Sequence, residues 1–388
     1  MTLPITYNIR SLFVRWKVTM LAICGIGLVV IVFVVLLSMS SGFKRALSST
    51  GSTRNAIVVQ QGSGSELTSG FSNQQAGRVI DDDRVARGKD GKPLASPEMV
   101  VLVNLNKRGT GTPTNVTVRG VTQKAFEVRN EIRMVQGRNF RPGLDEVIVG
   151  KRVQERFDGS DIGSKINIQK HDFTIVGVFS ADDSSFESEV WGDFDILSPA
   201  LNRAGGESSL TVRLADPRSV DRFNADIKAN PELQLEMKQE RQYYEDQAGP
   251  ISKALLGLAI FVSVVMGIGA VFGAMNTMYA IVAARTREIG TLRALGFSRF
   301  SILSAFLLEA LVLALAGGII GCLLASPVNG FSAGAMGPNF SDLAFAFHIT
   351  SKDLAAGLIF ALVMGLIGGL LPAFRAAKLP ITTALREA

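Results

Sequence analysis

Two cysteines and two histidines in 388 residues leave little for metal or disulfide chemistry. Cys24 and Cys322 each lie inside a long apolar run, where cysteine acts as a small buried hydrophobe, so the polar middle of the chain has no disulfide framework. His171 and His348 are far apart, and neither has a cysteine at ligand spacing, so no metal is expected. The serines lack a neighbouring histidine and no Gly-x-Ser-x-Gly occurs, which leaves no catalytic set and points away from an enzyme. A phosphate loop of the form G-x-x-x-x-G-K-[ST] is also missing: Gly88-Lys89 is followed by Asp90, Gly91-Lys92 by Pro93 and Gly150-Lys151 by Arg152.

Apolar residues, in contrast, are abundant. They make up 47% of the chain, and the mean hydropathy is +0.28, too high for an ordinary soluble domain. Yet 19% of residues are charged, too many for a purely membranous one. The charges separate the two parts. Residues 42–250 hold 28 Lys+Arg against 29 Asp+Glu, while the remainder holds 12 basic and 5 acidic residues. The basic excess therefore belongs to the apolar part, which excludes a nucleic-acid-binding stripe and fits cytoplasmic loops under the positive-inside rule.

Four runs are long enough to cross a hydrocarbon core, which takes about 20 apolar residues. They are assigned to 18–41, 251–284 (with a stalk), 301–326 and 351–374. The first could be mistaken for a signal peptide, since Arg10, Arg15 and Lys17 precede it, but its apolar stretch exceeds the roughly 7–15 residues of a signal core. An even number of spans puts both termini on one side. Arg10, Arg15 and Lys17, then Arg285, Arg287, Arg293 and Arg299, then Arg375, Lys378 and Arg386 all fall on that side, which is expected to be the cytoplasm of a bacterial inner membrane. The loop 327–350 has no Lys or Arg, only Asp342, and is expected outside with residues 42–250. Ile5, Ile9, Leu12 and Trp16 recur at helical spacing over 1–17, which reads as an interfacial helix in contact with lipid; an unstructured basic leader is the alternative.

The outer region, 42–250, reads as α+β in two lobes. Strand-like runs occur at 56–60, 99–105, 115–121, 146–149, 165–169, 173–179 and 210–214. The turn Arg108-Gly109-Thr110-Gly111-Thr112-Pro113 joins two of them as a hairpin. Asp216-Pro217 caps a helix that runs through Val220, Phe223 and Ile227. Residues 61–77 are rich in Gly, Ser and Gln and read as a mobile loop. Asp81-Asp82-Asp83 reads as a turn or helix start rather than a cation site. From Glu240 a helix is expected to lead into the second span as a stalk, with Pro250 starting or bending it.

Between spans two and three, residues 285–300 read as a short cytoplasmic helix. Ile289, Leu292 and Leu295 form its apolar stripe, Arg287, Glu288 and Arg293 its charge, and Gly296 its stop. Such a helix can seat in a groove of a cytoplasmic partner; a loop held by anionic lipid is the plainer reading of the arginines.

Thr286-Arg287-Glu288-Ile289-Gly290-Thr291-Leu292-Arg293-Ala294-Leu295-Gly296 resembles the signature of FtsX/MacB-like ABC transporter permeases. Pro372-Ala373-Phe374-Arg375-Ala376-Ala377-Lys378-Leu379-Pro380 with Ala384-Leu385-Arg386 is similar to the C-terminal motif of the same family, and 375–388 is expected to be a cytoplasmic tail. Gly137-Arg138-Asn139-Phe140, Glu146 to Gly150 and Phe173 to Phe179 are similar to the MacB-type periplasmic core. The resemblance implies an integral membrane α-helical fold of one plus three spans with a large α+β extracytoplasmic domain. It implies that the 285–300 helix couples to an ABC ATPase, with ATP and Mg bound there and no cofactor on this chain. Without a phosphate loop, the ATPase is expected on a separate subunit, with two ATPases and a second permease copy or homologue. A periplasmic adaptor is a further candidate partner.

Gly267, Gly269 and Gly273 in span two, and Gly317, Gly318 and Gly321 in span three, permit close helix approach, either between subunits or within one chain. Glu309 is a carboxylate inside a span, a costly placement that makes it a candidate polar site; pairing with Arg293 or Arg299, or snorkelling to the interface, is the plainer reading. Three readings remain open: export or extraction of lipid, lipoprotein, peptide or hydrophobic small molecules; mechanical activation of a cell-wall hydrolase or sensor kinase; and a membrane-anchored enzyme. The size of the outer region favours the first.

Overall fold

A computed structural model describes residues 16–201, 203, 205–337 and 341–381. Most of the expected interfacial helix over 1–17, and Ala384-Leu385-Arg386, lie outside the described residues. The chain divides into two compact units: one comprises the chain through Ser41, Lys253–Phe331 and from Phe347 on, and the other Gly42–Ser252 with Ser332–Ala346.

In chain order the helices are α1 (Trp16–Ser48), α2 (Asn73–Ile80), α3 (Ala125–Val128), α4 (Lys151–Arg156), α5 (Phe194–Ala200), α6 (Val220–Ala229), α7 (Glu240–Ala284), α8 (Thr286–Ala294), α9 (Arg299–Ala325) and α10 (Ser351–Lys378). Among the described residues, α1, α7, α9 (with the turn after it) and α10 are long and apolar enough to cross a membrane.

The first unit is a helical bundle whose close contacts rest on small residues. A Cβ at Gly317 would stand 3.0 Å from Ile23 O, and one at Gly321 would stand 2.8 Å from Gly27 O, so α9 lies almost backbone to backbone on α1. Such approaches allow dispersion contacts that a larger side chain would prevent. The starts of two of these helices are fixed locally. Ser298 Oγ accepts from Ser301 N at 3.1 Å to start α9. Thr350 and Asp353 form a reciprocal capping box at the start of α10, and Ser41 Oγ donates to Asp353 Oδ2 at 3.2 Å.

The second unit is built on one ten-stranded sheet in the order β12-β1-β11-β3-β4-β9-β6-β8-β5, with β7 paired to β8. The strands are β1 (Asn55–Gln60), β2 (Phe71–Ser72), β3 (Ala95–Asn106), β4 (Pro113–Val121), β5 (Arg133–Gly137), β6 (Glu146–Gly150), β7 (Lys165–Ile168), β8 (His171–Ser180), β9 (Glu189–Asp193), β10 (Gly206–Glu207), β11 (Ser209–Arg213) and β12 (Leu235–Gln239). Two more, β13 (Ser332–Met336) and β14 (Asp342–Ala346), form a separate hairpin. Successive side chains on a strand point to opposite faces, and the cores follow that rule. Ala56 and Val58 enter one core with Phe223 and Ile227 of α6. Val147, Val149 and Val190 enter a second, with Leu197 of α5. Ile57, Val59, Ile148 and Trp191, alternating with these, enter a third core that also holds Tyr243 and Tyr244 of α7.

Two local expectations are resolved by the structure. The stretch 61–77 is not one mobile loop: Ser72 and Gln75 form a capping box that starts α2, and Ser65 and Glu66 are buried. Of the two readings of Asp81-Asp82-Asp83 the turn holds: Asp81 ends α2, the three residues lie in turn and bend conformations, and Asp82 pairs with Arg84 at 2.8 Å. Among the described residues no group of His, Cys, Asp and Glu is arranged to hold a metal ion.

Candidate functional site

The sequence-derived site is α8 and its surroundings. Its end is a Schellman motif: Gly296 has φ +93, Phe297 N donates to Leu292 O at 3.2 Å and Gly296 N to Arg293 O at 3.2 Å. Glycine reaches that left-handed conformation without a Cβ penalty. Gly290 is buried, and Ile289 is buried in a core with Met278, Ile302, Phe306 and Ala373. Leu292 packs partly against that core, whereas Leu295 is 69% exposed. The stripe read from sequence is therefore split: Ile289 and Leu292 hold α8 to the bundle, and Leu295 faces away with exposed Arg287, Glu288 and Thr291. Thr286 is turned back, its hydroxyl donating to Ala283 O at 2.8 Å. Arg293 is also turned inward, donating to Phe297 O at 3.2 Å.

Glu309 does not pair with Arg293 or Arg299. Its partner is Arg285, the residue before α8, at 3.0 Å, both side chains being buried. Arg285 also reaches Glu288 at 3.5 Å and sits 5.8 Å from the Phe306 ring centroid. Sequence distance hid this pair, because Arg285 ends the preceding apolar run and reads there as one more cytoplasmic charge.

The glycines separate into two sets. Gly317 and Gly321 meet α1, while Gly318 meets Ala361 and Gly267 meets Phe360, both on α10. These four serve packing within the chain. Gly269 and Gly273 are exposed on α7 with nothing of this chain within 4 Å of an added Cβ.

A second constellation, not anticipated, lies on the face of the sheet that carries Trp191. Strand alternation and register place Glu98, Arg119, Glu189 and Thr211 on that one face. Arg119 donates to Glu66 at 2.6 Å, to Glu98 at 2.8 Å and to Glu189 at 2.8 Å. Arg129 binds Glu98, Thr211 at 2.8 Å and Glu240 at 2.7 Å. Glu240, the first residue of α7, also accepts from Asn55 at 2.9 Å and from Ser52 N at 3.0 Å. Burial alone would raise the Glu66 carboxyl, but Arg119 and the Ser209 hydroxyl overcome it and hold Glu66 below the usual carboxylate range. Burial works against both guanidinium charges, and the glutamates around Arg119 and Arg129 more than compensate, holding them well above their ordinary values. Burial, then the Glu66 charge, raises Tyr244. A pocket of about 40 Å³ adjoins Glu66, Arg119 and Tyr244, large enough for a few waters.

The hairpin of β13 and β14 is fastened to the same unit. Asp342 takes Arg156 through both oxygens, at 2.7 and 3.1 Å, and Lys107 at 2.6 Å. Ser188 Oγ accepts from Ala344 N at 3.0 Å, and Phe345 meets Phe43 edge-on at 5.8 Å.

Comparison with known proteins places these features in context. The profile of a MacB-like periplasmic core domain matches residues 19–230, and that of an FtsX-like permease C-terminal region matches residues 260–381. The macrolide export ATP-binding/permease protein MacB of Neisseria meningitidis serogroup A is 26% identical over 99% of this chain and 59% of its own length. An uncharacterized ABC transporter permease of Bacillus subtilis, YknZ, is 27% identical over 96% of this chain and 95% of its own. The chain thus spans about three fifths of the length of the MacB relatives it matches. The crystal structure of the extracellular domain of the noncanonic ABC-type transporter YknZ covers 47% of this chain at 14% identity and a TM-score of 0.35.

Proposed function

The chain belongs to the family of ABC transporter permeases that combine a MacB-like periplasmic core with an FtsX-like permease region, and on that premise we propose that it transmits the work of an ATPase to its outer unit. ATP and Mg bind on the ATPase partner. The outward face of α8, with Arg287, Glu288, Thr291 and Leu295, seats in that partner. Both termini lie in the cytoplasm, with the arginines of α8 on the same side. Two permeases and two ATPases make up the working complex, and the cargo is a lipid, lipoprotein, peptide or hydrophobic small molecule handled on the outer side. A MacB relative named for macrolide export supports the last point.

The observation that carries this reading is the continuity of α7. One helix of 45 residues, Pro250 included, spans about 67 Å at 1.5 Å per residue. Its first residue is an acceptor in the buried ionic network, and its last turn contributes Ile281 and Val282 to the core that holds Ile289 of α8. A shift of α8 therefore has an unbroken element to act on.

Copurification of a co-expressed ATPase from membranes tests the reading. Arg287→Glu, Glu288→Gln and Leu295→Ser act on exposed side chains, and Glu288→Gln retains an oxygen beside Arg285, so each should leave the permease folded and cut ATPase recovery at least several-fold. Full recovery with all three would remove α8 as the docking element.

A further inference from the structure

The foot of α10 carries two cations that the described chain leaves uncompensated. Arg375 and Lys378, in its last turn, are both exposed, and among the described residues neither has a carboxylate within ion-pair distance. Two other arginines at this end are engaged within the bundle: Arg285 is buried against Glu309, and Arg293 turns inward onto Phe297 O. Aromatic rings hold the two exposed cations in place. The Arg375 guanidinium lies 5.6 Å from the centroid of the Tyr279 ring on α7, and Lys378 Nζ lies 4.4 Å from that of Phe374. Both are inside the roughly 6 Å over which a ring face attracts a cation.

The dipole of α10 favours positive charge in its last turn, but it does not account for Arg375 reaching across to a neighbouring helix. That crossing follows from the close packing of α7 on α10. A Cβ on Gly368 would stand 3.1 Å from Ala274 Cβ and 3.4 Å from Val271 O, and further along Met278 and Val282 share a core with Ala373 and Ala376. Arg375 therefore lies over a closed seam between two helices long and apolar enough to cross a membrane. Ahead of the cations the same side of the seam is apolar. Ile367, Leu371 and Phe374 recur at intervals of four and three, which puts them on one face of α10 with Arg375 and Lys378. Phe272 stands two turns before Tyr279 on α7, and all four apolar side chains are half exposed or more. A ligand complementary to this surface has acyl chains for the strip and a negative headgroup for its basic end. A soluble anion would leave the strip bare, and a zwitterionic lipid would bring a cation of its own.

We propose that the outer lip of the α7–α10 seam binds a phospholipid of net negative charge. Arg375 and Lys378 take its phosphate, Tyr279 holds Arg375 over the seam, and Phe272 and Leu371 lie along its acyl chains. The site uses no residue of the outward face of α8 and does not depend on ATPase coupling.

Quenching of a tryptophan reporter by brominated phospholipid tests it on the full chain in vesicles of phosphatidylcholine and phosphatidylglycerol, one of the two lipids brominated at a time. On a Trp16→Phe background, with Trp191 buried as a constant signal, Phe374→Trp places the reporter at the site and keeps a ring for Lys378. A separate Phe300→Trp reporter, exposed beside Arg299 at the start of α9, reads the general attraction of anionic lipid to this end of the bundle. The Phe374→Trp reporter should prefer phosphatidylglycerol about fivefold, and the Phe300→Trp reporter by about twofold at most. Adding Arg375→Gln with Lys378→Gln, both at exposed positions, should bring the first ratio down to the second. Equal quenching by the two lipids at the Phe374→Trp reporter would overturn the proposal. So would one and the same preference at both reporters, a comparison that needs no loss of charge, or a preference that survives the double substitution.

Discussion

Arg285 and Glu309 form a buried ion pair at 3.0 Å that joins the residue before α8 to the body of α9. Each charge is tolerable there because the other is present.

Removing one partner should therefore cost far more than removing both. Glu309→Ala is expected to destabilise the first unit by about 3–5 kcal/mol, and the double change Arg285→Met with Glu309→Leu to recover most of it. Thermal unfolding of the wild type and the two variants in one detergent measures the difference. Equal losses in the single and double variants would show that the pair is not the stabilising element.

The ionic network at the root of α7 makes a parallel prediction for the second unit. Arg129 is fully buried and shared between Glu98 and Glu240, so Arg129→Met leaves the buried Glu240 without its cation and Glu98 with Arg119 alone, and should cost a similar ~3–5 kcal/mol. Trp191 is fully buried in that core and reports on it; denaturant titration of its fluorescence, with Trp16→Phe to silence the other tryptophan, should show an earlier midpoint.

Glu207 supplies a pH dependence. It is buried, its Oε2 has no partner, and burial pushes its carboxyl from 4.5 up to about 7. The folded state thus takes up a proton at a pH where the unfolded chain has not. Its contribution to stability is fully favourable below about 4.5 and is lost as pH rises through about 7. Glu207→Gln should flatten this part of the profile and raise stability at pH 8, as followed by unfolding of the wild type and the variant between pH 5 and 8.

Asp342 makes the last. Asp342→Asn keeps the shape but removes the charge that holds Arg156 and Lys107. Amide exchange over 332–346 should then accelerate at least tenfold, with exchange in β3 and β4 unchanged.

Much of this architecture is legible in the amino-acid order. The four apolar runs announce themselves by length, and Gly296 marks the end of α8 because only its backbone takes φ +93 cheaply. The strands with alternating aliphatics, such as β6 and β8, are also readable. The ionic network is not. Glu98, Arg119 and Glu189 occupy alternate strand positions, which is the pattern of a solvated face; period two says which residues share a face and nothing about what covers it. Tyr244 and Glu66, from α7 and from a stretch that reads as loop, close over them. The inward turn of Ile289 and outward turn of Leu295 was hidden for a related reason, since a stripe on a short helix does not reveal which part meets its own bundle.

The hairpin between α9 and α10 has a practical consequence for anyone who wants the outer unit in isolation. Residues 42–252 look like a contiguous soluble piece, but they lack β13 and β14. Cut out alone, they would bare Phe43, which Phe345 covers, and leave Lys107 and Arg156 without their carboxylate. A fragment that behaves in solution has to carry 332–346 as well, grafted through a linker, and crystallisation or adaptor-binding trials with the shorter piece would sample a surface the intact chain does not present.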